Sequence, residues 1–474
     1  VSDLTTDNAG HTHTQPGVPF LAFLLSWLSC FPREPAVLTP FPTQISGAQF
    51  LSQRQNALLA DSPRVGKTGT AILAADYNLD DSILVVTTAS GRPVWKRAFA
   101  NWSPFKRDRL RIVGWPEMAN ATTRAELLRT KWDRLILDEA HYAKNFATKR
   151  TQAAFGTLDD GGARLLSSTA LFSKAKGVWC LTGTPLPHDP SDIYPMMRAL
   201  CPERLLADPA RGWPAVMKFE DFRNRYCKWR PKKLSAWRSI IVIMGGKNEA
   251  ELAERLDGFF LRRTQQDVGI RAPIYETMPL AVSPRMLRDV EGDLVATEIL
   301  DAAKAGDTRS LDMHLGPIRR ITGEIKARAV IDAVKEEFDG GLDKIVLAYW
   351  HKDVGAILRE GLSTYGVVGI DGSTSPDKRE HATASFSKPD GARVFLAQIE
   401  AAGEAIDLSA SAVLYFVETV FSPKSMQQMS LRITNHTQAR QALVRVCVLE
   451  GSIDEALQEI LLRLWASIRE VLST

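Results

Sequence analysis

The sequence predicts an α/β protein with two parallel-sheet lobes joined by a helical, basic middle. Three observations carry this. Short runs such as ILVVTT (83–88), RLILD (134–138) and VWCLT (178–182) are apolar throughout rather than alternating, as strands covered on both faces are. Helix-like segments, such as 67–78 and 117–131, lie between them, and strand–helix alternation is the mark of a parallel sheet. The alternation lapses beyond about residue 202 and returns at KIVLAY (344–349).

Taken in order, residues 1–40 form an N-terminal segment, rich in Thr, His and Pro and then apolar. Its run PFLAFLLSWLSCF (19–31) is shorter than the ~20 residues needed to span a bilayer. No Lys or Arg precedes it, unlike a secretory signal, so it reads as a buried helix or docking segment and no membrane partner is expected. Residues 41–202 make the first lobe, where LRIVG (110–114) joins the strands named above. Residues 203–335 make the inter-lobe region. It is basic and Trp-rich up to 265, with no clear β alternation, and then reads as helices over 284–306 and 323–338. Residues 336–474 make the second lobe. Its runs are KIVLAY, VVGI (367–370), VFLA (394–397), VLYFV (413–417) and VRVCVL (444–449), followed by an amphipathic helix over about 453–471.

Composition narrows the class. Of 474 residues, 45% are hydrophobic and 24% charged, which excludes wholesale disorder, collagen and a polytopic membrane protein. At about 150 residues per domain, the length suggests about three folded units. The net charge of +4 permits a polyanionic partner without demanding one. The cysteines (30, 180, 201, 227, 447) are odd in number, widely spaced and without a CxxC pair, so a disulfide framework or zinc site is not expected and a reducing compartment is. The histidines at 11, 13, 188, 314 and 351 show no metal spacing and read as surface or loop residues.

Two segments carry chemistry. LLADSPRVGKT (58–68) ends in Gly66-Lys67-Thr68 where a helix-like segment begins, the tail of a phosphate-binding loop. Such a loop needs an ammonium to reach phosphates, a hydroxyl for Mg²⁺, and backbone N–H groups turned inward at a helix N-terminus. Asp61 stands at the first glycine position of the usual pattern. Downstream, LILDEAH (135–141) puts carboxylates at the end of an apolar strand, where α/β sheets place ligand chemistry. Asp138 is suited to hold Mg²⁺ through water, and Glu139 to orient and deprotonate an attacking water. The combination predicts an NTPase.

The middle region suits a polyanion. Residues 217–247 contain nine Lys/Arg against two acids, with Tyr226, Trp229 and Trp237 interleaved. Cations neutralise phosphates, and aromatics either stack on exposed bases or pack internally. Candidate contacts are Arg223, Arg225, Lys228, Arg230, Lys232 and Lys233, with Arg262 and Arg263 further on. For Arg262 and Arg263 a structural ion-pair role is an equal alternative.

With DEAHYAKN (138–145), LTGTP (181–185) and two α/β lobes, the chain resembles a superfamily-two helicase, and more narrowly the Swi/Snf-type DNA translocases. The resemblance covers about residues 42–465 and implies two RecA-like lobes. VVTTASGRPVWKRAF (85–99) looks like the family's segment beside the DNA track. FEDFRNRYCKW (219–229) and FFLRRTQQDV (259–268) are similar to its inter-lobe segments. IDGSTSPDKREHATASF (370–386), AAGEAIDLSAS (401–411) and QQMSLRITNHTQ (427–438) resemble the motifs of the second lobe.

The resemblance implies an ATP site with Gln44 toward adenine and the loop residues Asp61, Arg64, Val65, Gly66, Lys67 and Thr68 at the phosphates. It adds Asp138 with Mg²⁺, Glu139, His141 coupling the box to 181–185, and Gly403, Gln428 and Arg432 from the second lobe. Lys67, Glu139 and Arg432 are the expected catalytic residues; Thr68 and Asp138 are the expected metal ligands. Three positions depart from the family: Arg64 for a glycine, Ala405 for a glycine, and Asn435 for the second arginine of the arginine motif.

The expected function is an ATP-dependent motor on double-stranded or forked DNA, in replication, recombination or repair, alongside replication or recombination proteins. Compact versions of the family point to the cytoplasm of a bacterial or phage-infected cell. Two alternatives stand beside it: an ATP- and nucleic-acid-binding clamp with little hydrolysis, and an RNA helicase.

Overall fold

The structure is a computed structural model that describes residue 23 and residues 39–159, 161–183, 189–235, 238–281, 308–402, 406–418, 423–435, 438 and 440–450. The chain divides into two compact units, Val1–Thr264 and Gln265–Thr474. The division falls inside the 203–335 segment read as a separate middle.

The first unit holds β1 (Asn56–Leu59), β2 (Ser82–Thr87), β3 (Arg109–Gly114), β4 (Trp132–Asp138), β5 (Thr157–Leu158), β6 (Leu165–Leu166), β7 (Ala175–Leu181), β8 (Cys227–Ser235), β9 (Arg238–Gly246) and β10 (Phe260–Leu261). Six of these form one sheet in the order β10-β1-β7-β4-β2-β3, every pair parallel. The unbroken apolar runs have a direct cause: both faces are covered. Leu84 and Val86 face one core with Leu58, Leu135, Leu137 and Cys180, while Ile83 and Val85 face a second core with Leu59, Ile136 and Trp179. Because all strands are parallel, their carboxyl ends share one edge, and that edge receives the chemistry.

The single helix read over 117–131 is two, Trp115–Ala119 and Ala121–Leu127. Asn120 separates them: its backbone is extended and its side chain accepts from Thr122 and Thr123 N–H, starting a new helix. The middle region is also not all helical. β8 and β9 form an antiparallel hairpin, with Trp229 opposite Ile243 and Pro231 opposite Ile241. Lysines and a proline on β8 broke the apolar signal that strands usually give.

The second unit holds β11 (Ile274–Leu280), β12 (Ile345–Tyr349), β13 (Val367–Ile370), β14 (Val394–Gln398), β15 (Val413–Phe416) and β16 (Leu443–Leu449). They form a second all-parallel sheet, ordered β11-β16-β15-β12-β14-β13. The same two-sided burial recurs: Val346 and Ala348 face one core, Ile345 and Leu347 the other. The helix read over 323–338 is part of Thr308–Asp339. The helices read at 284–306 and 453–471 lie outside the described residues, as do residues 1–38 apart from Phe23, whose ring meets Tyr77 edge-on at 5.0 Å. Among the described residues, no helix is long and apolar enough to cross a membrane, and no group of three or more His, Cys, Asp or Glu could hold a metal ion. Cys180, Cys201, Cys227 and Cys447 are buried free thiols, and burial pushes Cys201 and Cys227 up to about 12.

Candidate functional site

The phosphate loop leaves β1 at the carboxyl edge and enters the Lys67–Tyr77 helix. Gly66 caps that helix with φ +102, and a Cβ there would come within 2.5 Å of Gln44 Nε2, so only glycine fits. Gln44 is itself locked: its Oε1 accepts from Phe41 N–H at 2.9 Å and its Nε2 donates to Gly66 O at 3.3 Å. Arg64 adopts φ +73, a left-handed conformation that costs a side-chain-bearing residue about 1–2 kcal/mol and glycine almost nothing. The Arg64 departure is therefore accommodated with strain. Val65 is fully buried and anchors the loop to the core. Lys67 Nζ donates to Asp61 O at 2.6 Å and Ser62 O at 3.3 Å, which curls the loop around the ammonium. Thr68 follows in the first helical turn, half-buried, where backbone N–H groups lack intrahelical partners.

Asp138 ends β4 on the same edge. Its Oδ2 accepts from Thr87 Oγ1 at 2.7 Å and from Trp95 Nε1 at 2.8 Å. Its carbonyl accepts from Trp115 Nε1 at 2.9 Å. Burial, and secondly the adjoining Glu139 charge, hold the Asp138 carboxyl above the usual carboxylate range. A half-buried carboxylate crowded by another is a setting a divalent cation relieves, so Asp138 with the Thr68 hydroxyl fits Mg²⁺. Glu139 sits at φ +51, a second strained non-glycine residue at this edge. Its Oε2 lies 3.2 Å from His141 Nδ1, and that nitrogen lies 3.0 Å from Thr182 Oγ1, just past β7. Since β7 lies between β1 and β4, the loop, Thr182 and the Asp138–His141 turn follow three adjacent strands.

In the second unit, Arg432 lies in the Leu431–Ile433 turn and its carbonyl accepts from Leu408 N–H at 3.1 Å. Asn435 Nδ2 donates to Ser409 Oγ at 2.6 Å, and Gln438 Nε2 donates to Ser411 O at 3.1 Å. The arginine-motif segment is thus stitched to the 406–411 segment. Gln428 lies half-buried on the Pro423–Ser430 helix. Gly403 and Ala405 lie outside the described residues.

Residues 120–283 match the SNF2-related domain, and residues 326–436 match the helicase conserved C-terminal domain. The chain thus carries matches to both domains of an SNF2-related, helicase-like protein. The SNF2-related chain is 25% identical over 447 residues to the SWI/SNF-related matrix-associated actin-dependent regulator of chromatin subfamily A-like protein 1 of Xenopus tropicalis, covering 90% of this chain and 44% of that protein. It is 22% identical to the DNA annealing helicase and endonuclease ZRANB3 of Homo sapiens, covering 89% of this chain and 39% of that protein. It therefore spans less than half the length of these relatives. A solved Sulfolobus solfataricus SWI2/SNF2 ATPase core in complex with dsDNA aligns over 90% of this chain and 92% of its own, at 19% identity and TM-score 0.39.

The basic residues of this SNF2-related chain separate into two groups. Lys228, Arg230 and Arg262 are exposed. Arg225 is committed to Glu251, with Nε 2.9 Å from Oε2, and Arg263 forks onto Asp61, whose carboxylate is fully buried. Arg225 and Arg263, expected as polyanion contacts, are thus each paired with an internal carboxylate, the ion-pair role held open for Arg263. The Asp61 carboxylate, at the start of the loop, is held by Arg263. Arg223 rests on Trp229, its guanidinium carbon 5.3 Å from the ring. Lys232 and Lys233 are placed by backbone alone, opposite Ile240 and Ser239. His351, read as a bland surface residue, has Nδ1 2.6 Å from the buried Glu418.

Sequence reasoning missed Thr87, Trp95 and Trp115 around Asp138. Thr87 carries a faint signal, ending an apolar strand at the carboxyl edge. The tryptophans lie within helices and carry none.

Proposed function

We infer that the chain is an ATP-driven motor on double-stranded DNA, acting in replication, recombination or repair, with a bacterial or phage-infected cytoplasm as its setting. The observation that carries this is the convergence on one sheet edge of Lys67, Thr68, Asp138, Glu139 and His141, linked by His141 to Thr182. Lys67 exchanges its carbonyl partners for phosphate oxygens, and the backbone N–H groups of the loop and first helical turn hold the same anion. Gln44, pinned beside Gly66, contacts the base in this reading. Glu139 accepts the proton of the attacking water, and His141 holds its carboxylate. Thr68 and Asp138 would hold Mg²⁺, which would supply charge neutralisation at the phosphates. Arg432 supplies the positive charge that phosphoryl transfer needs in its transition state.

The relatives are named for chromatin regulation and for DNA annealing, which favours DNA over RNA as the track. A second reading, a clamp that binds ATP and DNA with little hydrolysis, is favoured by Asn435. Its amide is engaged with Ser409 and carries no charge. Steady-state ATPase rates with no nucleic acid, single-stranded DNA, duplex DNA, forked DNA and RNA separate the three. The motor reading expects duplex or forked DNA to stimulate most. RNA as the best activator overturns it.

A further inference from the structure

The β8–β9 hairpin is the part of the first unit that the nucleotide site does not use. Each strand is nine residues long, so at about 3.4 Å per residue it extends roughly 30 Å. Between Cys227 and Gly246 it carries five Lys/Arg and no acid. Its root is rigid. Tyr226 and Cys227 are fully buried, Tyr226 OH donates to Glu251 Oε1 at 2.7 Å, and Arg225 and Arg255 bond the same carboxylate. Cys227 Sγ lies 3.8 Å from Asp189 Oδ1, on the stretch that follows β7 and Thr182.

Its outer part has two kinds of surface. Strand alternation and register put Trp229, Pro231, Ile241 and Ile243 on one face. Trp229 is 40% and Ile241 42% exposed, and Phe219, at the start of the preceding helix, is 38% exposed. Arg223 bridges the two aromatics, 5.9 Å from Phe219 and 5.3 Å from Trp229. Trp229 Nε1 is satisfied by Asn224 Oδ1 at 2.9 Å, which fixes the ring plane. Lys228 and Arg230, the neighbours of Trp229 in sequence, alternate to the other face and are exposed.

Proteins blunt open strand edges with lysine and proline, and that alone would explain Lys228 and Pro231. It does not explain an oriented, exposed tryptophan and isoleucine, which defeat such protection. An aromatic platform flanked by cations, on a hairpin that carries no acid and with Glu220 and Asp221 on the preceding helix, has the chemistry to take a nucleobase and its phosphates together. Paired bases inside a duplex do not offer a free face; unpaired ones do.

We propose that the hairpin is a junction reader: Trp229 stacks on an unpaired nucleobase beside a DNA duplex, while Lys228 and Arg230 hold its phosphates. This rests on the duplex-motor reading and names the DNA structure the motor prefers. The test is equilibrium binding of blunt duplex and of a fork with two unpaired arms, across a salt series, by the full chain and by Trp229→Ala, Trp229→Phe and Ile241→Ala. Stacking on one base predicts that the parent prefers the fork by about tenfold and that Trp229→Ala removes the preference. The salt slope stays unchanged, because no phosphate contact is lost, and Trp229→Phe keeps most of the preference. A parent that does not distinguish fork from duplex overturns the proposal while leaving the motor reading intact. So does a Trp229→Ala variant that keeps the ratio, in which case the apolar face serves a protein partner. A variant that weakens both DNAs equally also overturns it. A parent that binds neither DNA removes the motor reading itself.

Discussion

Arg263 grips Asp61 beneath the phosphate loop, its Nε 3.0 Å from Oδ1, with the carboxylate fully buried and the guanidinium 11% exposed. Arg263 also donates to the Thr43 carbonyl and to Ser46 Oγ, so the helix bearing Gln44, the loop and the 260s share one cation. Removing one partner of such a buried pair leaves an uncompensated charge, at about 3–5 kcal/mol. Arg263→Ala is expected to lower stability by about 3 kcal/mol and to weaken ATP binding, with the DNA salt slope unchanged. Arg262→Ala, one residue earlier and exposed, is expected to stay within about 0.5 kcal/mol. Urea unfolding of both variants checks this.

Exposure separates the cations that are open to a polyanion from those that are not. Lys228 and Arg230 are exposed and, among the described residues, pair with no carboxylate, whereas Arg225 is held by Glu251. Replacing Lys228 and Arg230 together by Ala is expected to reduce the slope of log K against log salt by about 2 units, without sequence preference. Arg225→Ala is expected to leave the slope alone and lower stability. An unchanged slope for the double variant places the DNA elsewhere.

The arginine motif has one charge. A positioned guanidinium is worth ~10³–10⁵ in phosphoryl-transfer rate, so Arg432→Ala is expected to abolish nearly all hydrolysis at unchanged ATP affinity. Asn435→Arg is expected to leave hydrolysis equal or faster, while losing the bond to Ser409 at a cost of about 1 kcal/mol. Turnover and ATP titrations on the two variants read these separately.

Asp371 offers a pH test in the second unit. Its carboxylate accepts from Ser373 Oγ, Ser373 N–H and Thr374 Oγ1, and the Ser373 hydroxyl bond leads in lowering it to about 2. A folded value below the unfolded one near 3.9 means that the ionised group favours the fold. That contribution is whole above the unfolded value and disappears as pH falls through the folded one. The stability gap between parent and Asp371→Asn is therefore expected to be constant above about pH 5 and to close between about pH 4 and pH 2. A gap that widens in acid contradicts the assignment.

Legibility in the sequence follows the range of the interactions. β2, β4 and β7 are readable because two-sided burial writes apolar residues at every position. β1 and β10 are not: at four and two residues they are too short to show any pattern. The β8–β9 hairpin hides because its exposed positions are filled with cations. In the site, Gly66-Lys67-Thr68 and Asp138-Glu139 are local in sequence and stand out. The partners that hold them are remote: Arg263 is 202 residues from Asp61, and Thr87 and Trp95 are 51 and 43 residues from Asp138. Sequence spacing alone carries no trace of such pairs.

Steady-state ATP hydrolysis at saturating blunt duplex decides whether a DNA-driven ATPase is built on the edge of the first sheet. The parent is compared with Lys67→Ala and Glu139→Gln. Duplex-stimulated hydrolysis is expected in the parent and background rates in both variants, with Glu139→Gln still binding ATP and remaining on DNA. A Lys67→Ala or Glu139→Gln variant that turns over ATP near the parent rate contradicts the site. A parent that binds ATP and duplex, yet is never stimulated, contradicts the motor and leaves the clamp.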